Sequence, residues 1–275
     1  MRPDSEDPSG GSLSYVNILE REMEDALSEL ARPSRGLFLS GFSAGLNLSF
    51  GALFMGMVLT LSPSFPSPLV EHLVLAVASS VAFLFVVLGQ TELFTAHTTM
   101  AVLPVFDGRT GLDELGRLWG VTYLGNLLGC AAFAALIAVL GPEMGIVEAA
   151  AFDSLAASLL GHPPWAILLS GVVAGWLMGL TTWLVAASRD TAGRILVVLL
   201  VTTAIGFAPF HHVVLGTTEV LGALFLDTGV TVADFASFLV PTTLGNVVGG
   251  TVFVAGLNYG HIALVGDDAD VDVDE

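Results

Sequence analysis

The sequence predicts an all-α membrane protein with six membrane-spanning helices, arranged as an inverted repeat of three plus three, with broken helices in spans 2 and 5. Three observations support this prediction: the composition, the position of the arginines, and two matching interruptions in long apolar runs. The 275 residues are 54% hydrophobic and only 12% charged, whereas soluble domains contain about 25% charged residues. Apolar runs of about 20 residues are long enough to cross a bilayer. The predicted spans are residues 37–61, 71–105, 117–140, 165–187, 193–225 and 237–264.

The arginines set the orientation of these spans. The chain contains no lysine, and its eight cationic residues precede span 1 or lie between spans 2 and 3 or between spans 4 and 5, up to the first residues of spans 3 and 5. All of them therefore share one side of the membrane, which the positive-inside rule identifies as the cytoplasmic side. This predicts a multi-pass protein of the inner (cytoplasmic) membrane with both termini in the cytoplasm. The arginines are Arg2, Arg21, Arg32, Arg35, Arg109, Arg117, Arg189 and Arg194.

The chain divides into three parts by composition. Residues 1–35 form a cytoplasmic N-terminal segment, in which apolar residues at three- and four-residue steps predict an amphipathic helix over 13–32. Residues 36–264 form the six-span domain, and residues 265–275 form an acidic cytoplasmic tail. The net charge of −18 without lysine favours a halophilic source, with an ordinary disordered acidic tail as the alternative. Nucleic acid is excluded as a partner because there is no basic patch.

Spans 2 and 5 are longer than one straight crossing requires, and each contains polar and helix-breaking residues. The interruptions are residues 88–95 and 205–212. Such residues are tolerated at membrane depth only where protein buries the freed backbone or where it lines a cavity. A proline or glycine kink in a continuous helix is the alternative for either site alone, but two sites at corresponding positions favour discontinuous helices.

Short motifs recur in the two halves. The sequence TEL at 91–93 matches TEV at 218–220, and GNLLG at 125–129 matches GNVVG at 245–249. Because each half has three spans, the second half enters the membrane from the opposite face. Corresponding broken helices in an inverted repeat indicate a transport site at the breaks.

His212 is the leading candidate for chemistry at that site. A charged side chain at mid-membrane is costly, but imidazole can stay neutral and exchange a proton, since its unperturbed pKa lies near 6.5. The alternative is a neutral histidine that is hydrogen-bonded inside the core. The adjacent His211 is expected to support a loop or a neighbouring helix.

Thr91 and Thr95 supply hydroxyl groups in the first interruption. If the two breaks face each other, Thr95 would orient the imidazole of His212, although threonines also cap helices for structural reasons. Glu92 and Glu219 are expected where the half-helices start, since negative charge there complements the helix dipole. A proton relay is the second interpretation of these two carboxyl groups.

Apolar residues near the breaks are candidates for constrictions that a charged ion crosses poorly, although ordinary core or lipid contact is the alternative. These residues are Leu93, Phe94, Phe83 and Phe207. Asn126 and Asn246 are expected to hydrogen-bond the broken backbone. The sequence contains no metal-ligand spacing, phosphate-binding loop or nucleophile elbow, so neither enzyme activity nor a cofactor or metal is expected.

Three segments carry a resemblance to a known family. Residues 92–95 (ELFT), 123–129 (YLGNLLG) and 241–250 (PTTLGNVVGG) resemble the formate/nitrite transporter family, and the resemblance extends over about residues 35–262. It implies an aquaporin-like fold, assembled as a homopentamer with one pore in each protomer. It also implies passage of small monovalent anions or their acids, including formate, nitrite, hydrosulfide and short carboxylates.

The resemblance assigns roles by position. His212 matches the central pore histidine, Thr95 the loop threonine that contacts it, and Leu93 and Phe94 the residues of the cytoplasmic slit. Phe83 falls near the second apolar constriction.

Several positions depart from the family pattern. His211 and Gly216 stand where a glutamate and an asparagine are usual around the central histidine, and Gly175 replaces a common asparagine. The lysine that often precedes span 4 is missing, which leaves substrate identity and anion attraction at the outer mouth open. The pattern resembles a divergent branch of the family.

These observations predict a channel or proton-coupled transporter for a small monovalent weak-acid anion, with His212 sharing a proton with the substrate. Its expected partners are that anion or its acid, protons and membrane lipid. The alternatives are an aquaporin-like pore for water or a small neutral solute, and a non-conducting membrane protein that serves an interaction.

Overall fold

The computed structural model describes residues 13–62 and 65–268, and within these ranges every regular element is a helix. Most of the predicted acidic tail and the first twelve residues lie outside them. A π-helical turn, Thr251–Gly256, joins the last two helices. The helices are α1 (Tyr15–Ala31), α2 (Ser34–Leu61), α3 (Pro68–Leu88), α4 (Phe94–Met100), α5 (Leu103–Phe106), α6 (Leu112–Glu143), α7 (Ala149–Leu160), α8 (Pro164–Ala187), α9 (Thr191–Phe207), α10 (Val213–Phe225), α11 (Val232–Gly250) and α12 (Leu257–Asp268).

Among the described residues, five helical stretches are long and apolar enough to cross a membrane: α2, α3, α6, α8, and the stretch that begins with α11 and runs to Ala263. The prediction of an all-helical membrane protein is therefore confirmed. Predicted span 193–225 is divided between α9 and α10, which contain 17 and 13 residues. Neither helix alone has the length of a span, because Pro209 and its neighbours interrupt the helical backbone between them.

Two pairs of helices pack closely in the same manner, α2 against α6 and α8 against α11. A methyl group at Gly45 would collide with the carbonyl oxygen of Asn126, and a methyl group at Gly175 would collide with that of Asn246. Glycines at these positions let the two backbones approach each other. Gly175, which replaces an asparagine common in the family that the sequence resembles, thus has a packing role in this chain.

The short helix α10 occupies the centre of the bundle, and every residue from Val213 to Ala223 is buried. It is covered in part by α7, a helix that the sequence analysis did not predict. Phe152 of α7 is fully buried, and its ring fills the space beside Gly56 and Gly222. With only 12 residues, α7 was too short to be recognised as a span.

Helix α1 matches the predicted amphipathic helix. The Ser14 hydroxyl group caps it by accepting from the Asn17 N–H at 3.2 Å, and Pro33 follows its end. Its buried apolar face packs against the other helices. Near the end of α8, Arg21 donates to the carbonyl oxygen of Ala186. This face contains Ile18, Met23, Ala26 and Leu30.

Candidate functional site

Two non-helical segments of the structure, one before α4 and one before α10, come together through side chains next to them. The chain leaves helical structure between α3 and α4 and again between α9 and α10. Thr95 lies in the first turn of α4, and His212 is the residue that precedes α10. Their side chains are 2.9 Å apart, from Thr95 Oγ1 to His212 Nε2. Both are buried, at 0% and 2% exposure.

The contacts of His212 define which ring nitrogen holds the proton. Nδ1 accepts a hydrogen bond from the backbone N–H of Leu215 at 3.2 Å, and a backbone N–H can only donate. Nδ1 therefore carries no proton, and the neutral ring has its proton on Nε2. Nε2 donates to Thr95 Oγ1, which leaves the threonine hydroxyl proton free for another acceptor.

Asn126 supports the first interruption from α6. Its Oδ1 accepts from the N–H of Phe94 at 2.8 Å, and its Nδ2 donates to the carbonyl oxygens of Gly41 and Glu92, both at 2.8 Å. All three interactions involve backbone groups. One buried side chain thus fixes the loop before α4 and joins it to α2.

Asn246 does the same for the second interruption from α11. Its Oδ1 accepts from the N–H of Val213 at 2.9 Å, and its Nδ2 donates to the carbonyl oxygens of Gly171 and His211 at 2.8 and 2.9 Å. The two breaks therefore have equivalent supports, in which one asparagine joins a half-helix to the neighbouring long helix.

His211 is held by hydrogen bonds on both ring nitrogens. Nε2 donates to the carbonyl oxygen of Leu159 at 2.9 Å, so Nδ1 accepts from the Ser170 hydroxyl group at 2.8 Å. The Ser170 oxygen also accepts from the His211 backbone N–H at 3.1 Å. Ser170 and Leu159 were not foreseen, because neither carries a sequence signal and α7 was not predicted.

Glu92 lies in a cluster of charged and polar side chains before α4. It forms an ion pair with Arg32 and accepts from His97 Nε2 at 2.6 Å. Arg32 also pairs with Glu29 of α1 at 2.6 Å. Thr91 lies beside this cluster, with its hydroxyl group 3.4 Å from the carbonyl oxygen of Val86. His97, a polar residue five positions after Glu92 in an apolar run, was a signal that the sequence analysis did not use.

Glu219 lies elsewhere than expected. The sequence analysis placed it where a half-helix starts, but α10 begins at Val213, and no acidic residue lies in its first turn. Glu219 is therefore in the second turn, beyond the reach of the helix-end charge. It is 6% exposed.

Two cavities lie near the Thr95–His212 pair: His212 lines one, and Ala96, the residue after Thr95, lines the other. The cavity on the α7 side has a volume of about 140 Å³ and is lined by both His212 and Glu219. The cavity on the α1 side has a volume of about 440 Å³, and its lining includes Glu92 and Arg32. We refer to them as the α7-side cavity and the α1-side cavity.

Apolar side chains that are close together in α3 line the two cavities. Phe83 lines the α7-side cavity, whereas Val86 and Leu93 line the α1-side cavity. Phe83 and Val86 are one turn apart in α3, a rise of about 4.5 Å. The Phe83 ring stands edge-on to the His212 ring, with ring centroids 5.2 Å apart. Phe83, a predicted constriction residue, is thus adjacent to the histidine.

The other two apolar candidates lie outside both linings. Phe94 is buried against Tyr123, with ring centroids 4.7 Å apart. Phe207, the last residue of α9, is 39% exposed and contacts His72. Because the chain turns after Phe207, it is Phe210 that lines the α7-side cavity.

Comparison with known proteins gives a consistent picture. The family model described as "Formate/nitrite transporter" matches residues 16–260. The chain is 31% identical to "Inner membrane protein YfdC" of Escherichia coli (strain K12), over 89% of this chain and 78% of that protein. It is 28% identical to "Nitrite transporter NirC" of Salmonella typhimurium, over 82% of each protein.

Solved structures agree with these relatives. A structure described as "FNT family ion channel" superposes with a TM-score of 0.81 at 24% identity, over 90% of this chain and 99% of the other. One described as "Pentameric formate channel with formate bound" gives a TM-score of 0.73 at 25% identity, over 84% and 98%. The family model and the relatives confirm the resemblance seen in the sequence motifs: the chain belongs to the formate/nitrite transporter family.

Proposed function

We propose that this protein is a membrane channel or proton-coupled transporter for a small monovalent weak-acid anion, of the class that includes formate and nitrite. The observation that carries this proposal is the contact between Thr95 and His212, which lies at an apolar barrier between two cavities. Such a barrier rejects a charged ion but admits a neutral acid, provided that a hydrogen-bonding pair is present to receive it.

The proposed topology has six spans, two of them interrupted, in an inverted repeat. The equivalent hydrogen bonds of Asn126 and Asn246 support the repeat. The arginine distribution supports cytoplasmic termini in the inner membrane, with the α1-side cavity facing the cytoplasm. A homopentamer is proposed because a structural relative is described as pentameric. The division at residues 35 and 264 and the halophilic source remain hypotheses from composition.

The tautomer of His212 refines its proposed role. A second proton on the ring would have to enter at Nδ1, where the Leu215 N–H already donates. Complete transfer of a ring proton to the substrate is thus disfavoured. Sharing of the Nε2 proton with the substrate, through the Thr95 hydroxyl group, is favoured. In this arrangement Nε2–H donates to the Thr95 oxygen, and the Thr95 hydroxyl proton points to the substrate oxygen. The substrate, once it has taken up a proton from water outside the barrier, then crosses the barrier of Phe83, Val86 and Leu93 in its neutral form.

This proposal is tested by uptake in proteoliposomes that contain a pH-sensitive dye. The wild-type protein should take up formate or nitrite without net charge, and faster as the external pH falls. Thr95→Val removes the hydroxyl group at nearly constant volume and should reduce uptake by about 100-fold, whereas Thr95→Ser should retain most of it. His212→Ala should lose the pH response.

Unchanged pH dependence in His212→Ala, with normal uptake, would reject the role of the imidazole. Stopped-flow swelling in formate compared with glycerol separates this function from the aquaporin-like alternative. A protein that passes glycerol or water and not formate would be a pore for neutral solutes. A protein that passes neither would favour the non-conducting alternative.

A further inference from the structure

The α7-side cavity extends along α3 for much of the helix length. Glu71, Leu75, Ser79 and Phe83 are spaced four residues apart, and all four line the cavity. Twelve residues of α-helix correspond to a rise of about 18 Å. The cavity therefore runs from the first turn of α3 down to the ring of Phe83, beside the barrier.

The opposite wall is one face of α10. His212, Leu215, Gly216 and Glu219 line the cavity, at the steps of three and four residues that bring side chains to one face of a helix. Glu219 lies about 10 Å along the axis from His212. Because α10 runs away from the barrier, a molecule that enters from the α7 side passes Glu219 before it reaches His212.

The carboxyl group of Glu219 has no partner among the described residues: no hydrogen bond or ion pair to it is present there. It is nevertheless 94% buried, with 6% exposure. An ionised carboxylate in such surroundings costs far more free energy than a protonated one. A protonated carboxyl group is a hydrogen-bond donor and a proton source, and here it faces a cavity.

The surroundings of Glu219 contain no compensating cation. Its cavity neighbours from α2, α7 and α9 are apolar or hydroxyl-bearing, and no described cationic side chain from any helix lines this cavity. The other titratable groups in the lining are Glu71 and His72 of α3 and His212 of α10 itself. An anion that enters therefore meets no positive charge, so another means of neutralising it is required.

We propose that Glu219 is a second site in this pore: a proton-donating group that converts a small oxyanion, such as a monocarboxylate, to its neutral acid in the α7-side cavity. The inference rests on the proposed function and deepens it. The O–H bond of the Glu219 carboxyl group breaks, and a new O–H bond forms on the substrate oxygen. The negative charge passes to Glu219, which recovers a proton from water on the α7 side. The neutral acid then moves to Thr95 and His212.

The test is formate-driven proton uptake in proteoliposomes, measured for the wild type, Glu219→Gln and Glu219→Asp between about pH 5 and about pH 8. Glutamine keeps the size of the side chain but has no exchangeable acid proton. The rate of formate-driven proton uptake by Glu219→Gln should be lower by about tenfold or more at the high end of this range, where formate arrives as the anion. The loss should shrink at the low end, where more of the substrate arrives protonated. Aspartate should restore the pH profile.

The outcomes separate this inference from the function on which it rests. If the wild type moves neither formate nor nitrite, the proposed function fails. If the wild type moves formate and Glu219→Gln has the same rate and pH profile, the role of Glu219 is overturned while the function stands. The role of Glu219 would also be overturned if Glu219→Gln lowered the uptake rate equally at every pH, or if Glu219→Asp were as slow as Glu219→Gln.

Infrared difference spectroscopy on the wild-type protein keeps the inference testable if the glutamine variant fails to assemble. Formate addition should diminish the carbonyl band of a protonated carboxyl group, and Glu219→Asp should shift that band. A spectrum with no change in this band on formate addition would overturn the assignment.

Discussion

The two interruptions share a backbone scaffold but differ in their charged side chains. Each is fixed by one asparagine that bonds three backbone groups. At the first interruption, Glu92 is paired with both Arg32 and His97. Beyond the second, in the second turn of α10, Glu219 faces a cavity without a partner among the described residues. In the proposed repeat, the carboxylate of Glu92 is paired with Arg32 and His97, whereas the carboxyl group of Glu219 remains available for proton exchange.

The histidines of the second interruption show the same division of roles. His211 is held at both ring nitrogens by protein groups, at 2.8 and 2.9 Å. His212 uses one nitrogen for a backbone N–H and the other for Thr95, whose hydroxyl proton remains free. Adjacent residues of one type therefore serve different purposes, since one closes the loop and the other faces the cavity.

The largest expected effect tests the shared scaffold. Asn126→Ala and Asn246→Ala should each destabilise the protein by about 3 kcal/mol, because each leaves buried backbone groups without partners. Thermal unfolding in detergent measures this loss. Asn47→Ala, a partly exposed asparagine of α2, is the control and should change stability by less than about 0.5 kcal/mol. A large loss at only one of the two sites would contradict the equivalence of the two breaks.

A smaller effect separates the two carboxyl groups. Glu92→Gln weakens the interactions with Arg32 and His97. Because about a third of Arg32 is exposed, at 34%, the expected loss is about 1 to 2 kcal/mol. Glu219→Gln replaces a neutral carboxyl group by a neutral amide, so the protein should stay within about 0.5 kcal/mol of wild type. The free energies of unfolding of the two variants should therefore differ, and equal losses would contradict a difference in role between the two carboxyl groups.

Much of the fold could be predicted because it follows from local pattern. Apolar runs indicated the long helices, and helix-breaking residues lie where the structure leaves helical conformation after α3 and after α9. Thr95 and His212 were selected together although 117 positions separate them, since each follows a break. The position of Glu219 depended on where α10 begins, and tertiary contacts with Asn246 set that boundary. The roles of α7 and Phe210 likewise depend on packing that no local pattern encodes.

The most local expected effect concerns α1, at the end of the molecule where charges are paired. Burial, with a smaller contribution from Asp25, raises the pKa of Glu22 from 4.5 to about 8, and Glu22 Oε2 has no hydrogen-bond partner among the described residues. The docked helix therefore holds a proton that the detached helix releases above about pH 4.5. Docking should weaken as pH rises from about 4.5 to about 8 and change little above that.

Trypsin cleavage at Arg21, inside α1, measures this docking. Cleavage of the wild type should accelerate as pH rises through this window, after correction for the enzyme's own pH dependence on an unstructured peptide. Glu22→Gln cannot ionise, so its cleavage should be slow and nearly independent of pH, whereas Glu20→Gln, on the exposed face of α1, should behave as the wild type. If Glu22→Gln retained the wild-type pH dependence, the proton on Glu22 would not hold α1 in place. An unpaired carboxyl group would then have a functional role only at Glu219, in the α7-side cavity.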